Sequence, residues 1–266
     1  DMAWVFRAPV EVALGLKSAG SAPPGPPDLP PAARLLAGPV YELRIYVANE
    51  NRFQHLIKRF RDHTDRIFRK HGLEAVGYWI ATEGRGSKGR RFVYVLKHSS
   101  RYAAYRNWNS FTRDRQWEAV LDIPEFQRLL AEKPTSIFMS ENEYSAASMD
   151  KIEKVGGVYE LRTYVANPGK LAGLNARFRD HTIGLFRKHG IRNVGYWTPF
   201  DMPEAGNTLV YLVHHASREQ ADANWMAFGR DPLWRKVSRE SQAGGRFLSE
   251  PPERIYLAPM SFSPLK

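Results

Sequence analysis

The sequence predicts an α+β fold: two tandem ferredoxin-like (βαββαβ) units pairing sheet to sheet as a pseudo-dimeric α+β barrel. Three observations carry this reading. Tyr41–Trp79 aligns without a gap on Tyr159–Trp197, with 24 of 39 positions identical, and such self-similarity marks a duplicated structural unit. Within each copy, hydrophobic spacing switches between period two and three-to-four residues in the order strand, helix, strand, strand, helix, strand. A sheet with both helices on one face leaves its other face uncovered, and the second copy is the nearest element able to cover it. At 266 residues and 43% hydrophobic content, the chain can build two cores of the usual domain size, roughly 100–150 residues.

Residues 1–39 differ from the rest. SAPPGPPDLPPAARLLAGP is too rich in Pro and Gly for a packed core and reads as an extended N-terminal arm. The preceding MAWVFRAPVEVALGLKSAGSA loosely resembles a signal peptide whose apolar stretch is broken by Glu11 and Lys17. The first domain then spans 40–145, a linker 146–157, and the second domain 158–266.

In the first domain, Tyr41–Val47 alternates as a strand with two differently occupied faces. From Phe53 to His71 the apolar residues Phe53, Leu56, Ile57, Phe60, Ile67 and Phe68 make one helical face, and Gly72 supplies the left-handed residue that ends it. Val76–Thr82 and Phe92–Lys97 are β-rich runs around a Gly-rich turn, the signature of a hairpin. Ser99 or Ser100 caps a second helix running to about Leu121, and Ile137–Tyr144 closes the unit. The second copy repeats this order, with Ser217 and Gln220 at capping-box spacing.

No cysteine is present, which excludes disulfides, thiol nucleophiles and thiolate metal sites. Every apolar run is too short to span a bilayer as a helix. The net charge of +11 favours anionic partners, and it is spread through both domains: 19 basic against 13 acidic residues in Val40–Ser145, and 15 against 10 in Val158–Lys266. No basic tail exists.

YELRTY, KHG and GYW, in that order in each copy apart from YELRIY in the first, resemble the NIPSNAP family, and the closing SFSPLK resembles the C-terminus of some members. The resemblance runs from Val40 to the end. It implies the α+β barrel shared with small cofactor-free monooxygenases. In eukaryotes it also implies a mitochondrial address, on the matrix side, and roles in protein association, including mitophagy signalling and accessory membership of a multi-subunit mitochondrial assembly. Bacterial tandem members keep a bacterial cytoplasmic or periplasmic location as the alternative. The family brings no catalytic residue set. The Pro-rich arm and the basic EGRGSKGRR hairpin depart from simpler members, which makes Arg85, Lys88, Arg90 and Arg91 candidate contacts to a protein partner or to an anionic surface of lipid or RNA.

GRGSKG at Gly84–Gly89 fits a phosphate-cradling spacing, but it joins two strands where such a loop must open a helix. It reads as a hairpin tip. Projected at about 100° per residue, His71 falls at the centre of the helix's apolar face and His63 on its flank, as do His189 and His181 in the second copy. With Tyr78 and Tyr196 they are the candidates for acid–base chemistry in a cavity, against a structural reading as hydrogen-bonded core or helix-end residues. The eight-residue separation of the histidines leaves no metal-ligand set, and no motif calls for a cofactor. Adjacent His214 and His215 must face opposite sides of a strand. Asp62 and Asp180 project from the apolar stripe as a solvated, ion-paired face. Glu42, Arg44, Glu160 and Arg162 lie opposite Leu43 and Leu161, a placement that predicts ion pairs at the seam between the two sheets. These features together predict a non-catalytic interaction or scaffold protein. The alternatives are a cofactor-free oxygenase or isomerase, or a small-ligand binder, using a His/Tyr-lined cavity, and an RNA- or membrane-associated protein.

Overall fold

In the computed structural model the described residues are 38–83, 89–148, 150, 156–203 and 205–265. The Pro-rich arm up to residue 37 and the hairpin tip 84–88, with Arg85 and Lys88, lie outside them.

The first repeat contains β1 (Val40–Val47), α1 (Phe53–Arg59), a π-helical turn (Phe60–Thr64), α2 (Asp65–Lys70), β2 (Glu74–Glu83), β3 (Arg91–His98), α3 (Arg101–Thr112), α4 (Arg115–Leu121) and β4 (Thr135–Glu141). A short helix, α5 (Ser145–Ser148), precedes the second repeat. That repeat contains β5 (Val158–Val165), α6 (Leu171–Arg177), a second π turn (Phe178–Thr182), α7 (Ile183–Lys188), β6 (Arg192–Pro199), β7 (Thr208–His215), α8 (Arg218–Arg230), α9 (Pro232–Ser241) and β8 (Glu253–Pro259).

Two local features differ from the sequence-based expectation. The first helix of each repeat is interrupted by FRDHT in π conformation, where Thr64 and Thr182 turn their hydroxyls back to the carbonyls of Arg59 and Arg177 at 3.2 and 3.1 Å. A π turn holds more residues than an α turn, so side chains beyond it are rotated relative to a continuous 3.6-residue projection. The second helix is also two helices. Asp114 caps α4 by accepting from Gln116 N at 2.7 Å, and Asp231 does the same for α9 ahead of Pro232. Ser100 and Ser217 are the predicted caps, accepting from Ala103 N and Gln220 N. The Gln220 side chain bonds Asn224 at 2.7 Å.

The eight strands close into one barrel in the order β1-β3-β2-β8-β5-β7-β6-β4. Each repeat contributes four neighbouring strands, and the closures are made across repeats: β2 pairs with β8, and β4 with β6, both antiparallel. Edge pairing of the two sheets therefore removes the free edges that each half alone would expose. Tyr41, Leu43, Trp79, Val93, Val95 and Met139 from one half pack inside against Tyr159, Leu161, Trp197, Val210, Leu212, Ile255 and Leu257 from the other. Outside the barrel, each half buries its own helices on a separate aromatic core.

The chain after each fourth strand crosses to the other repeat. Asn142 N donates to Tyr196 O and Tyr196 N donates to Ser145 Oγ, while Met260 N donates to Tyr78 O and Tyr78 N donates to Ser263 Oγ. Tyr144 packs on Tyr196 and Phe262 on Tyr78, at 5.5 and 5.3 Å between ring centroids. A β-bulge at Ala75/Gly77 and another at Asn193/Gly195 immediately precede the tyrosines that these serines serve. SFSPLK is thus a clasp. Ser263→Ala leaves the buried Tyr78 N–H unpaired and is expected to cost about 1–3 kcal/mol in urea unfolding, with a lowered midpoint and an unchanged slope.

Candidate functional site

YELR-Y builds a buried polar network, and the structure places it on the opposite side of the sheet from the predicted seam. Because Tyr41 and Leu43 point into the barrel, Glu42 and Arg44 face the helices. The Glu42 carboxylate accepts from Arg44 Nη1 at 3.0 Å, Trp108 Nε1 at 2.7 Å and Ser136 Oγ at 2.7 Å, with His98 Nε2 at 3.1 Å. Arg44 Nη2 donates to Tyr46 Oη, which also accepts from Tyr94 Oη. Burial opposes ionisation of Glu42, but Arg44, His98 and Ser136 outweigh it and hold its pKa at about 2. In the second repeat Trp225 Nε1 donates to Glu160 at 2.6 Å, His215 approaches the same oxygen at 3.2 Å, and Arg162 pairs with Glu160 at 3.2 Å beneath the Trp225 ring. The four charged residues therefore tie sheet to helix within each repeat. Polar contacts that do cross between repeats include Arg218 with Glu83, at 2.8 and 3.2 Å, and Asp201 accepting from Phe138 N. Glu83 and Asp201 occupy equivalent positions, which the strand pattern alone did not single out.

The candidate acid–base residues are not assembled in one cavity. His71 reaches Asp114 at 2.6 Å and Ser110 at 2.7 Å, and His189 reaches Asp231 at 2.8 Å, while Lys70 and Lys188 donate to the same two aspartates. These partners hold both aspartates well below the usual carboxylate range. His71 and His189 therefore end a helix and fasten it to the next cap, the helix-end reading of the sequence, with their rings against Phe111 and Phe228. His63 is half-buried with its ring 5.5 Å from Phe126, and His181 is exposed. Tyr78 Oη donates to Asp65 at 3.0 Å, and Tyr196 Oη donates to Asn193. His214 and His215 do face opposite sides of β7, towards Tyr159 and Glu160. Asp62 and Asp180 pair with exposed Arg61 and Arg179. Arg90 and Arg91 are half-buried beside the start of β3, where the Arg90 carbonyl accepts from Ala48 N.

A cavity of about 440 Å³ opens between the sheet and the helices of the second repeat, and none of the six candidate histidines and tyrosines lines it. Its inner wall includes Tyr164, Phe178, Phe186 and Phe228, with Arg177 at the π turn; Arg246 and Glu250 lie at its exposed rim. Arg177 is only 7% exposed and stacks between Trp234 and Phe247 at 5.1 and 4.8 Å. Burial lowers its pKa, opposed only by the phenols of Tyr164 and Tyr211. The RFRDHT recurrence was visible in the sequence; its first arginine ends α6 three residues after buried Leu174, so helical spacing turns it inward.

Closed by two four-stranded sheets with helices outside, the molecule is a pseudo-dimeric α+β barrel. The NIPSNAP family model matches residues 41–143 and again 159–264, and the chain belongs to the NIPSNAP family, with two tandem domains. A "putative monooxygenase" of Fusobacterium nucleatum superposes with a TM-score of 0.55 at 11% identity, covering 86% of this chain and 99% of its own. An anthrone oxidase-like protein gives 0.53 at 10%, covering 84% and 91%. An uncharacterized NIPSNAP-like domain protein of Burkholderia xenovorans gives 0.36 at 16%, covering 41% of this chain and 90% of its own. The first two likenesses speak to the fold alone. No curated protein matches the sequence significantly.

Proposed function

We propose that the chain is a non-catalytic interaction protein of the NIPSNAP type, working as a rigid two-repeat scaffold in a mitochondrial, multi-subunit setting. One observation supports the non-catalytic part: His71, His189, Tyr78 and Tyr196 each make a side-chain hydrogen bond to a neighbouring helix or strand residue, outside the cavity. Their recurrence in both copies follows from the shared fold. The mitochondrial address and the protein partners rest on family membership; the basic hairpin offers a further contact to an anionic surface.

The competing reading, a cofactor-free oxygenase or isomerase, draws on the names of fold neighbours, which fold likeness does not transfer. Cross-linking the native protein in mitochondria, followed by mass spectrometry, is expected to return a recurrent protein partner at the outer helices or hairpin. The His71→Gln/His189→Gln variant is expected to lose stability while retaining those cross-links. The reading fails if the protein carries no recurrent cross-link and the folded double variant loses a measured turnover that the parent possesses.

A further inference from the structure

We propose that the second repeat binds a small apolar carboxylate, held by Arg177 and laid against the aromatic wall of the cavity beneath α9. The inference stands independently of the scaffold reading. A volume of about 440 Å³ falls within the range of small-molecule sites, roughly 300–1,000 Å³. Phe186, Phe228 and Trp234 form a continuous aromatic surface, with centroids 5.0 and 4.4 Å apart along the series.

The arginine sets the chemistry. Its Nε has no hydrogen-bond partner, and its contact to Ser241 Oγ is at the outer limit of 3.5 Å. Among the described residues no carboxylate lies within ion-pair distance of it, and a buried guanidinium without a counter-charge is costly. Of the neighbouring hydroxyls, Thr182 donates to the Arg177 carbonyl and Tyr164 accepts from Tyr211. A guanidinium fork matches a carboxylate in plane, whereas a phosphate dianion calls for several cations or a nest of backbone N–H groups. The other two charges at the rim, Arg246 and Glu250, are of opposite sign.

Comparison of the repeats shows why the site belongs to the second. Arg59 is buried in the first repeat under Trp117 as Arg177 is under Trp234. Leu121, at the position equivalent to Ser238, packs on the first core, and Phe126 is buried in it as well, whereas Ser238 lines the cavity of the second repeat. A filling residue at 121 and a small one at 238 help to open this cavity in the second repeat.

Calorimetric titration of the full chain with decanoate and with 2-naphthoate tests the assignment, with decanol and inorganic phosphate as the comparison probes. At least one carboxylate is expected to bind one-to-one and at least tenfold tighter than decanol, and phosphate is expected not to displace it. Arg177→Gln should weaken the carboxylate at least tenfold, Ser238→Leu should abolish binding, and Arg59→Gln should leave it unchanged. Absence of saturable carboxylate binding, equal affinity for decanol, displacement by phosphate, or a Ser238→Leu protein that binds like the parent would each overturn the proposal. The last comparison decides the matter even where Arg177→Gln does not fold.

Discussion

Replacing Gly195 by alanine is expected to destabilise the protein by about 3 kcal/mol, at the upper end for overpacking a closed core. Gly195 sits in the bulge of β6 with the Trp197 indole folded over it, so that an added Cβ lies 2.4 Å from Trp197 Cη2 and Cζ2. Gly77 has the same relation to Trp79, at 2.3 and 2.4 Å. Neither ring can move far, because both indoles are buried in the shared barrel interior. The matching thermal shift is about 6–12 °C by the usual scaling for proteins of this size, read from near-ultraviolet circular dichroism. Gly184 supplies the control. It lies in α7 with nothing within 4 Å of an added Cβ, so Gly184→Ala is expected to stabilise by about 0.5–1 kcal/mol. Equal, small effects at Gly195 and Gly184 would refute the packing argument.

Glu42→Gln is expected to cost about 3–5 kcal/mol, because it strips the counter-charge from buried Arg44. Substituting both residues by methionine is expected to recover only part of that loss, since it removes the orphaned charge but leaves Trp108 Nε1, Ser136 Oγ and His98 Nε2 without their acceptor. The acid response follows from the same group. Its folded pKa, about 2, lies below its ordinary value of 4.5, so the unfolded chain takes up the proton first as pH falls. The stabilisation is therefore complete above about pH 4.5 and is lost progressively towards pH 2. Asp114 and Asp231, lowered by their Lys and His partners, act in the same direction. Urea unfolding between pH 6 and pH 2.5 should show a shallower loss for Glu42→Gln than for the parent; parallel slopes would contradict the assignment.

The repeat, the strand order and the caps at Ser100 and Ser217 were legible because each rests on local pattern. Period-two alternation in YELR-Y separated two faces correctly, yet it carried no label for which face turned inward. Tyr41 and Leu43 fill a barrel while Glu42 and Arg44 meet Trp108, so the charged face became the helix face. The helix projection brought His71 to the apolar face, but FRDHT forms a π turn, a local departure from 3.6-residue geometry that the apolar spacing did not announce. Asp114 and Asp231 were unremarked for a different reason: their role depends on Lys70, His71, Lys188 and His189, more than forty positions away in sequence. The cavity was hidden in a small residue, since Ser238 means nothing until its counterpart Leu121 is seen packing on the first core.

Differential scanning calorimetry of the full chain tests most directly the claim that the two repeats form one closed barrel. Cross-repeat pairing of β2 with β8 and of β4 with β6, together with the reciprocal clasps at Ser145 and Ser263, predicts one transition. Its calorimetric and van't Hoff enthalpies should agree, and Gly195→Ala should shift the whole of it. Two separable transitions, with Gly195→Ala moving only one, would show that the repeats fold independently and would contradict the account.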